Sequence, residues 1–276
     1  MLPSMAELTN IIKGVPAEVV VKETLQDDPI STVYLIDYQG ILSVLRLDKP
    51  VTGHLGLDRS AEFYLLNCIQ SYGFSPELLY SDPREGILIY RFFEGEVLTP
   101  TDLGTRGKLV ELGKILGSIH RLHLPDFTTR FLNQIRHYEK ELKNDVDGNL
   151  LKRGIDLFES LTANEDDWVL CHNDLIATNL VQGKRLLILD WEYASLNHPY
   201  FDLATVLENH DLTESQSELF LDAYSGERQS IDLVQLDEWR QLTHYVTLFW
   251  LMIIKKYATI SEKEKAWMVD LENQLS

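Results

Sequence analysis

Between Trp168 and Tyr193 the chain carries four side chains of complementary chemistry: His172, Asp174, Asn179 and Asp190. Asp190 and Asn179 are hard oxygen donors of the kind Mg²⁺ takes, and two such ligands leave room for phosphate oxygens. Asp174 is then free to orient a hydroxyl and accept its proton. Turns collect Asp and Asn because these side chains hydrogen-bond the local backbone. That explains any one of the four residues, but not four in order around a hairpin.

The elements that must position them are short. Trp168 to Cys171 is apolar and rich in strand formers, and so are Asn179 to Gln182 and Arg185 to Leu189. Gly183-Lys184 separates the last two runs as a hairpin turn. Asp174 and Asn179 therefore sit on a loop at the mouth of a hairpin, with Asp190 at the end of its second strand.

The order His-x-Asp-x-x-x-x-Asn, followed after a hairpin by a metal-holding Asp, is that of a protein-kinase catalytic loop. The runs Cys171-His172-Asn173-Asp174-Leu175, Asn179-Leu180 and Leu189-Asp190-Trp191-Glu192-Tyr193-Ala194 resemble the aminoglycoside phosphotransferase and choline kinase superfamily of small-molecule kinases. Glu192 makes the stretch most similar to the choline, ethanolamine and thiamine kinase branch, and the resemblance is strongest from Leu112 to Leu207. It implies an α+β, two-lobed protein kinase-like fold. A small antiparallel-sheet lobe over residues 1–93 would bind nucleotide, and a larger, mainly helical lobe over 94–276 would hold the catalytic and substrate groups. It also implies ATP and Mg²⁺ as cofactors, His172 as support for the loop, and Asp202 as a structural carboxylate holding that loop. A helix-start acid facing the positive end of the helix dipole explains Asp202 equally well.

In the first lobe, Glu18 to Glu23, Thr32 to Tyr38 and Ile41 to Leu47 read as strands, the last two joined by Gln39-Gly40. The loop from Leu25 to Thr32 stands where kinases cover phosphates with glycines, yet it has none. Ser31 and Thr32 are placed to donate to a phosphate, and ordinary turn polarity explains them equally well, while Asp27 and Asp28 repel phosphate unless they point away. Arg46 is the only cation inside its apolar strand, and a buried charge needs a partner. The resemblance makes Arg46 the phosphate grip, with Glu62 on the helix from Arg59 to Gln70 as the carboxylate that aligns it. Asp58 is placed to cap that helix. Leu78 to Tyr80 and Gly86 to Phe93 are further strands, ending at a hinge where the resemblance puts adenine against the backbone near Phe93 and Glu94.

The remaining chain reads mostly as helix: weakly over Leu2 to Lys13, clearly over Leu109 to Leu122, and again over Phe131 to Leu161, Gln216 to Tyr224 and Leu236 to Tyr257. His120 and His123 lack a third ligand at zinc spacing. The aromatic stripe Trp239, Tyr245, Phe249 and Trp250 reads as core, although the resemblance turns aromatic faces of this region, Trp250 among them, to a quaternary ammonium. Glu192 is left with two roles, a second metal or the cationic substrate.

A net charge of −18 argues against a nucleic-acid partner. It suits solubility, or attraction of a cation. Two cysteines, no signal-peptide pattern and no apolar run of membrane-spanning length point to a cytoplasmic protein. The expected function is ATP- and Mg-dependent phosphorylation of a small cationic alcohol such as choline, ethanolamine or thiamine. The alternatives are an aminoglycoside-type phosphotransferase, or a non-catalytic nucleotide-binding module suggested by the missing glycines. The oligomeric state is open.

Overall fold

The computed structural model describes residues 14–146, 148–164, 167–226 and 231–276; the helix expected over Leu2 to Lys13 lies outside them. The first lobe is a five-stranded antiparallel sheet of β1 (Val19–Asp27), β2 (Ser31–Tyr38), β3 (Ile41–Asp48), β4 (Leu78–Asp82) and β5 (Ile87–Arg91), in the order β1-β2-β3-β5-β4. Gln39 and Gly40 both adopt positive φ between the paired Tyr38 and Ile41, the backbone a two-residue hairpin turn requires. β1 runs further than its sequence suggests. Two irregularities, between Val21 and Glu23 and between Thr24 and Gln26, let its pairing with β2 continue to Asp27.

Alternation along the strands decides which side chains meet the second lobe. Tyr34, Ile36, Leu45, Leu47 and Ile89 close a small core on one face. On the other face Arg46 meets α1 (Arg59–Ile69), whose Leu65, Leu66 and Ile69 belong to the main core. Asp58 caps α1, its carboxylate accepting from the amides of Ser60 and Ala61.

The second lobe contains β6 (Glu96–Val97), α2 (Arg106–Ile119), α3 (Phe131–Leu142), α4 (Gly148–Leu161), β7 (Val169–Cys171), β8 (Leu180–Gln182), β9 (Leu186–Ile188), β10 (Ser195–Asn197), α5 (Tyr200–Asn209), α6 (Glu214–Ser225), α7 (Leu233–Tyr257) and α8 (Glu262–Gln274). β7 pairs with β10, and β8 lies between β6 and β9. α7 is the central helix, burying Trp239, Leu242, Tyr245, Leu248 and Phe249. α6 packs so tightly on α2 that a Cβ at Gly113 would sit 2.8 Å from the Phe220 carbonyl oxygen. Among the described residues, no helix is long and apolar enough to cross a membrane.

Candidate active site

The loop after β7 is fixed from behind by Asp202, in the first turn of α5. Its carboxylate accepts from the backbone amides of His172 at 2.8 Å and Asn173 at 2.7 Å. Asn173, at φ 64°, donates to the Ser195 hydroxyl at 2.8 Å and accepts from the Asn197 amide at 2.8 Å. The His172 Nε2–H donates to the Leu189 carbonyl at 2.8 Å, while its Nδ1 accepts from the Asp174 amide. Burial holds this imidazole below its ordinary pKa and so neutral, as two such bonds require. His172 thus ties the loop to the residue before Asp190, which lies in the left-handed region at φ 58°.

These constraints bring Asp174, Asn179 and Asp190 to one cleft. The Asn179 amide nitrogen donates to the Asp174 carboxylate at 2.8 Å and to its carbonyl at 2.9 Å, which leaves the Asn179 carbonyl oxygen as its donor atom toward a cation. Burial, and then the neighbouring Glu192 charge, push Asp174 up to about 7. Burial and Glu192 also raise Asp190 well above the carboxylate range, against the pull of Arg46.

Arg46 and Glu62 form a two-pronged pair at 2.8 and 2.6 Å. Arg46 also reaches Asp190 at 2.9 Å. Sequence reasoning missed a second arginine. Arg59 grips both oxygens of Asp48 at 2.6 and 2.8 Å, and its Nη1 donates to Glu62 at 3.0 Å and Glu192 at 2.8 Å. Its signal was available, since Arg59 lies three residues before Glu62 on the same helix face. Although burial works to raise it, Glu62 is held below its ordinary pKa by Arg46 and Arg59. Asp48, Glu62, Asp190 and Glu192 therefore share two arginines. A buried excess of carboxylate charge with hard oxygen donors suits a divalent cation such as Mg²⁺.

Beside Asp174 lies a cavity of about 300 Å³ whose walls include Tyr138, Glu192, Tyr193, Trp250 and Trp267. The Trp250 indole N–H donates to the Tyr193 hydroxyl at 2.8 Å, fixing both rings. Of the predicted aromatic stripe, Trp239, Tyr245 and Phe249 are core and Trp250 alone reaches the cavity. Tyr138, Tyr193 and Trp267 escaped sequence reasoning because they come from α3, the Asp190 loop and α8, with no shared spacing. Phe93 and Glu94 lie at the hinge against the β8–β9 turn, where a Cβ at Gly183 would sit 2.4 Å from the Glu94 carbonyl oxygen. Ser31 is buried, and its amide donates to Asp28. His120 donates to Asp202 at 3.1 Å, close to Cys171, but the two loop amides share that carboxylate and Cys171 donates to the Asn197 and His198 carbonyls. This is a hydrogen-bond cluster, and His123 is exposed outside it.

A model of the choline/ethanolamine kinase family matches residues 39–259. The chain belongs to that family. Protein LicA of Haemophilus influenzae is 28% identical over 207 residues, covering 70% of this chain and 59% of LicA. A solved structure of LicA in complex with AMP superposes with a TM-score of 0.79 at 20% identity over 99% of both chains. The structure of the gentamicin–APH(2")-IIa complex superposes with a TM-score of 0.65 at 16% identity, over 100% of this chain and 97% of that one. At such identities the superpositions speak to fold. They show that this member of the choline/ethanolamine kinase family shares a fold, a sheet lobe and a helical lobe, with the gentamicin phosphotransferase as well.

Proposed function

We propose that the chain transfers the γ-phosphoryl group of ATP to the hydroxyl of a small cationic alcohol, choline or ethanolamine ahead of thiamine. The observation that carries this reading is the cavity beside Asp174, whose lining brings Tyr138, Tyr193, Trp250 and Trp267 together with Glu192. Aromatic faces attract an ammonium through their quadrupoles, and a carboxylate adds charge attraction. The family's name supports the same class of acceptor.

We assign residues 1–93 to nucleotide binding and 94–276 to catalysis and acceptor binding. The backbone near Phe93 and Glu94 is assigned to adenine, and nucleotide use is supported by the relative solved with AMP. Arg46, aligned by Glu62, presents the rest of its fork to phosphate oxygens. Asp190 and Asn179 are assigned to Mg²⁺, which when bound offsets the charge of the phosphates. Asp174 orients the acceptor hydroxyl and takes its proton, a role suited to a carboxylate raised to about 7. His172 and Asp202 hold the loop so that Asp174 keeps its aim. Glu192 is assigned to the acceptor, whose cavity it lines.

The test is ADP release from MgATP with choline, ethanolamine, thiamine, an aminoglycoside or no acceptor, beside the Asp174→Asn variant. Acceptor-dependent release is expected, and the variant should lose roughly 10²-fold in turnover while still binding ATP. Near-normal turnover by the variant would remove Asp174 from its role. Failure of the wild type to bind MgATP would sink the whole reading.

A further inference from the structure

The β1–β2 turn, from Gln26 to Ile30, stands where a kinase wraps its nucleotide phosphates in backbone amides. Here those amides are already engaged. One oxygen of Asp28 accepts from the amides of Ile30 and Ser31, both at 2.7 Å, and the other accepts from the Gln26 side chain at 2.8 Å. The Thr32 hydroxyl donates to Asp27 at 2.9 Å. Lys49 donates to Asp27 at 2.6 Å and to the Asp28 carbonyl, while its own amide donates to the Ile30 carbonyl at 2.7 Å. Two carboxylates thus occupy the place where phosphates would need donors, and Lys49 locks the turn in that form. The turn is not free in solvent either. Gln26, Asp28, Pro29 and Ile30 line one cavity that runs from Asn179 and Asp190 past Asp174 to Glu192 and Trp250, and Ile30 packs against the main core, so the capped carboxylate and the bonded amides of the turn are what set its role there.

We infer that the β1–β2 turn is a wall of the acceptor site rather than a phosphate cradle, with Ile30 and Asp28 determining which acceptor fits. Ile30 supplies apolar surface to the cavity that the second-lobe aromatics also line. Asp28 adds negative charge on a side of the cavity remote in sequence from Glu192, favouring a cation and disfavouring phosphate. This rests on the kinase reading above.

The experiment is a two-substrate initial-rate analysis of Ile30→Ala and Asp28→Asn, with MgATP against choline and ethanolamine, and melting curves to verify folding. Asn at 28 keeps an oxygen for the two amides and removes the charge, and the Gln26 amide can turn its own oxygen to the new NH2 group. Both variants should raise the acceptor KM about five-fold or more, with the MgATP KM within about two-fold of wild type. A raised MgATP KM with an unchanged acceptor KM would show a phosphate-facing turn and overturn the inference. Unchanged constants for both substrates in folded variants would overturn it as well. A wild type with no acceptor-dependent turnover at all is a separate result, which removes the kinase reading on which this one stands.

Discussion

Asp190 combines a left-handed backbone, a carboxylate held in the cleft beside Glu192 and a single arginine contact, so its charge is costly until a cation arrives. Asn tolerates the same backbone. Asp190→Asn should therefore melt within about 1 kcal/mol of wild type, or above it, while its turnover falls on the order of 10²-fold. MgATP should raise the wild-type melting temperature and leave the variant's unchanged; an equal rise in both would take Asp190 out of the metal site. Arg59 is the opposite case. Its side chain is 11% exposed and serves three carboxylates, so Arg59→Met strands all three beside Arg46 alone. Removing one partner of a buried charge network costs about 3–5 kcal/mol, and a melt of the variant should show it, together with a raised MgATP KM. Arg59→Lys should recover part of the stability, since it restores charge without the planar fork.

At the scale of elements, the β8–β9 hairpin sets the hinge beside the site, while the α2–α6 contact sets the packing of the second lobe. Gly183 lets the hairpin turn lie under the hinge, and Gly113 lets α6 approach α2 at backbone distance. The two glycines make separable predictions. Gly113→Val must push the Phe220 backbone away, at about 1–3 kcal/mol of stability by overpacking, and thermal unfolding would register that with little change in either KM. Gly183→Val pushes instead on the Glu94 carbonyl at the hinge, so its MgATP KM should rise more than its acceptor KM. Equal changes in both constants would detach the hinge from nucleotide binding. The elements themselves were largely legible: the strand alternation through β2 and β3, the two-residue turn at Gln39-Gly40, the Asp58 cap and the 3.6-residue period of α2 all came from local pattern. β1 was read too short, because its outward residues are polar and only cross-strand pairing with β2 carries it to Asp27.

For the molecule as a whole, three of the four buried histidines of the second lobe set a pH response. Burial lowers His172 and His210, and lowers His198 to about 4, where it lies parallel to Trp239 at 4.8 Å between ring centres. An unfolded histidine titrates near 6.5, so between about 6.5 and 4 the unfolded chain binds more protons than the folded one. His198 therefore contributes stability that is fully present above 6.5 and is lost as pH falls through 4, at most about 3 kcal/mol in all. His198→Gln should be less stable than wild type at pH 7.5, and the gap should narrow at pH 5. A gap that stays constant across that range would show that His198 does not titrate on unfolding. Asp174 and Asp190, raised rather than lowered, pull the other way, so the comparison is between the two proteins and not of either alone.

The sequence by itself determined the local parts: two apolar runs with a hairpin between them, oxygen donors at their ends, a cation inside a strand and a carboxylate on the next helix. Each rests on chemistry within a few residues, where backbone preference and spacing are enough. The tertiary structure alone decided what converged. Arg59 became the bridge between Glu62 on α1 and Glu192 across the cleft, and Tyr138, Tyr193 and Trp267 became walls of one cavity although 129 positions separate the first from the last. It also turned the glycine-free β1–β2 turn from a defective phosphate loop into a self-capped wall. The physical reason is the same in each case. Charge pairing and cavity shape depend on distances through space, and these are fixed only once the sheet lobe packs its Arg46 face and α1 against the helical core.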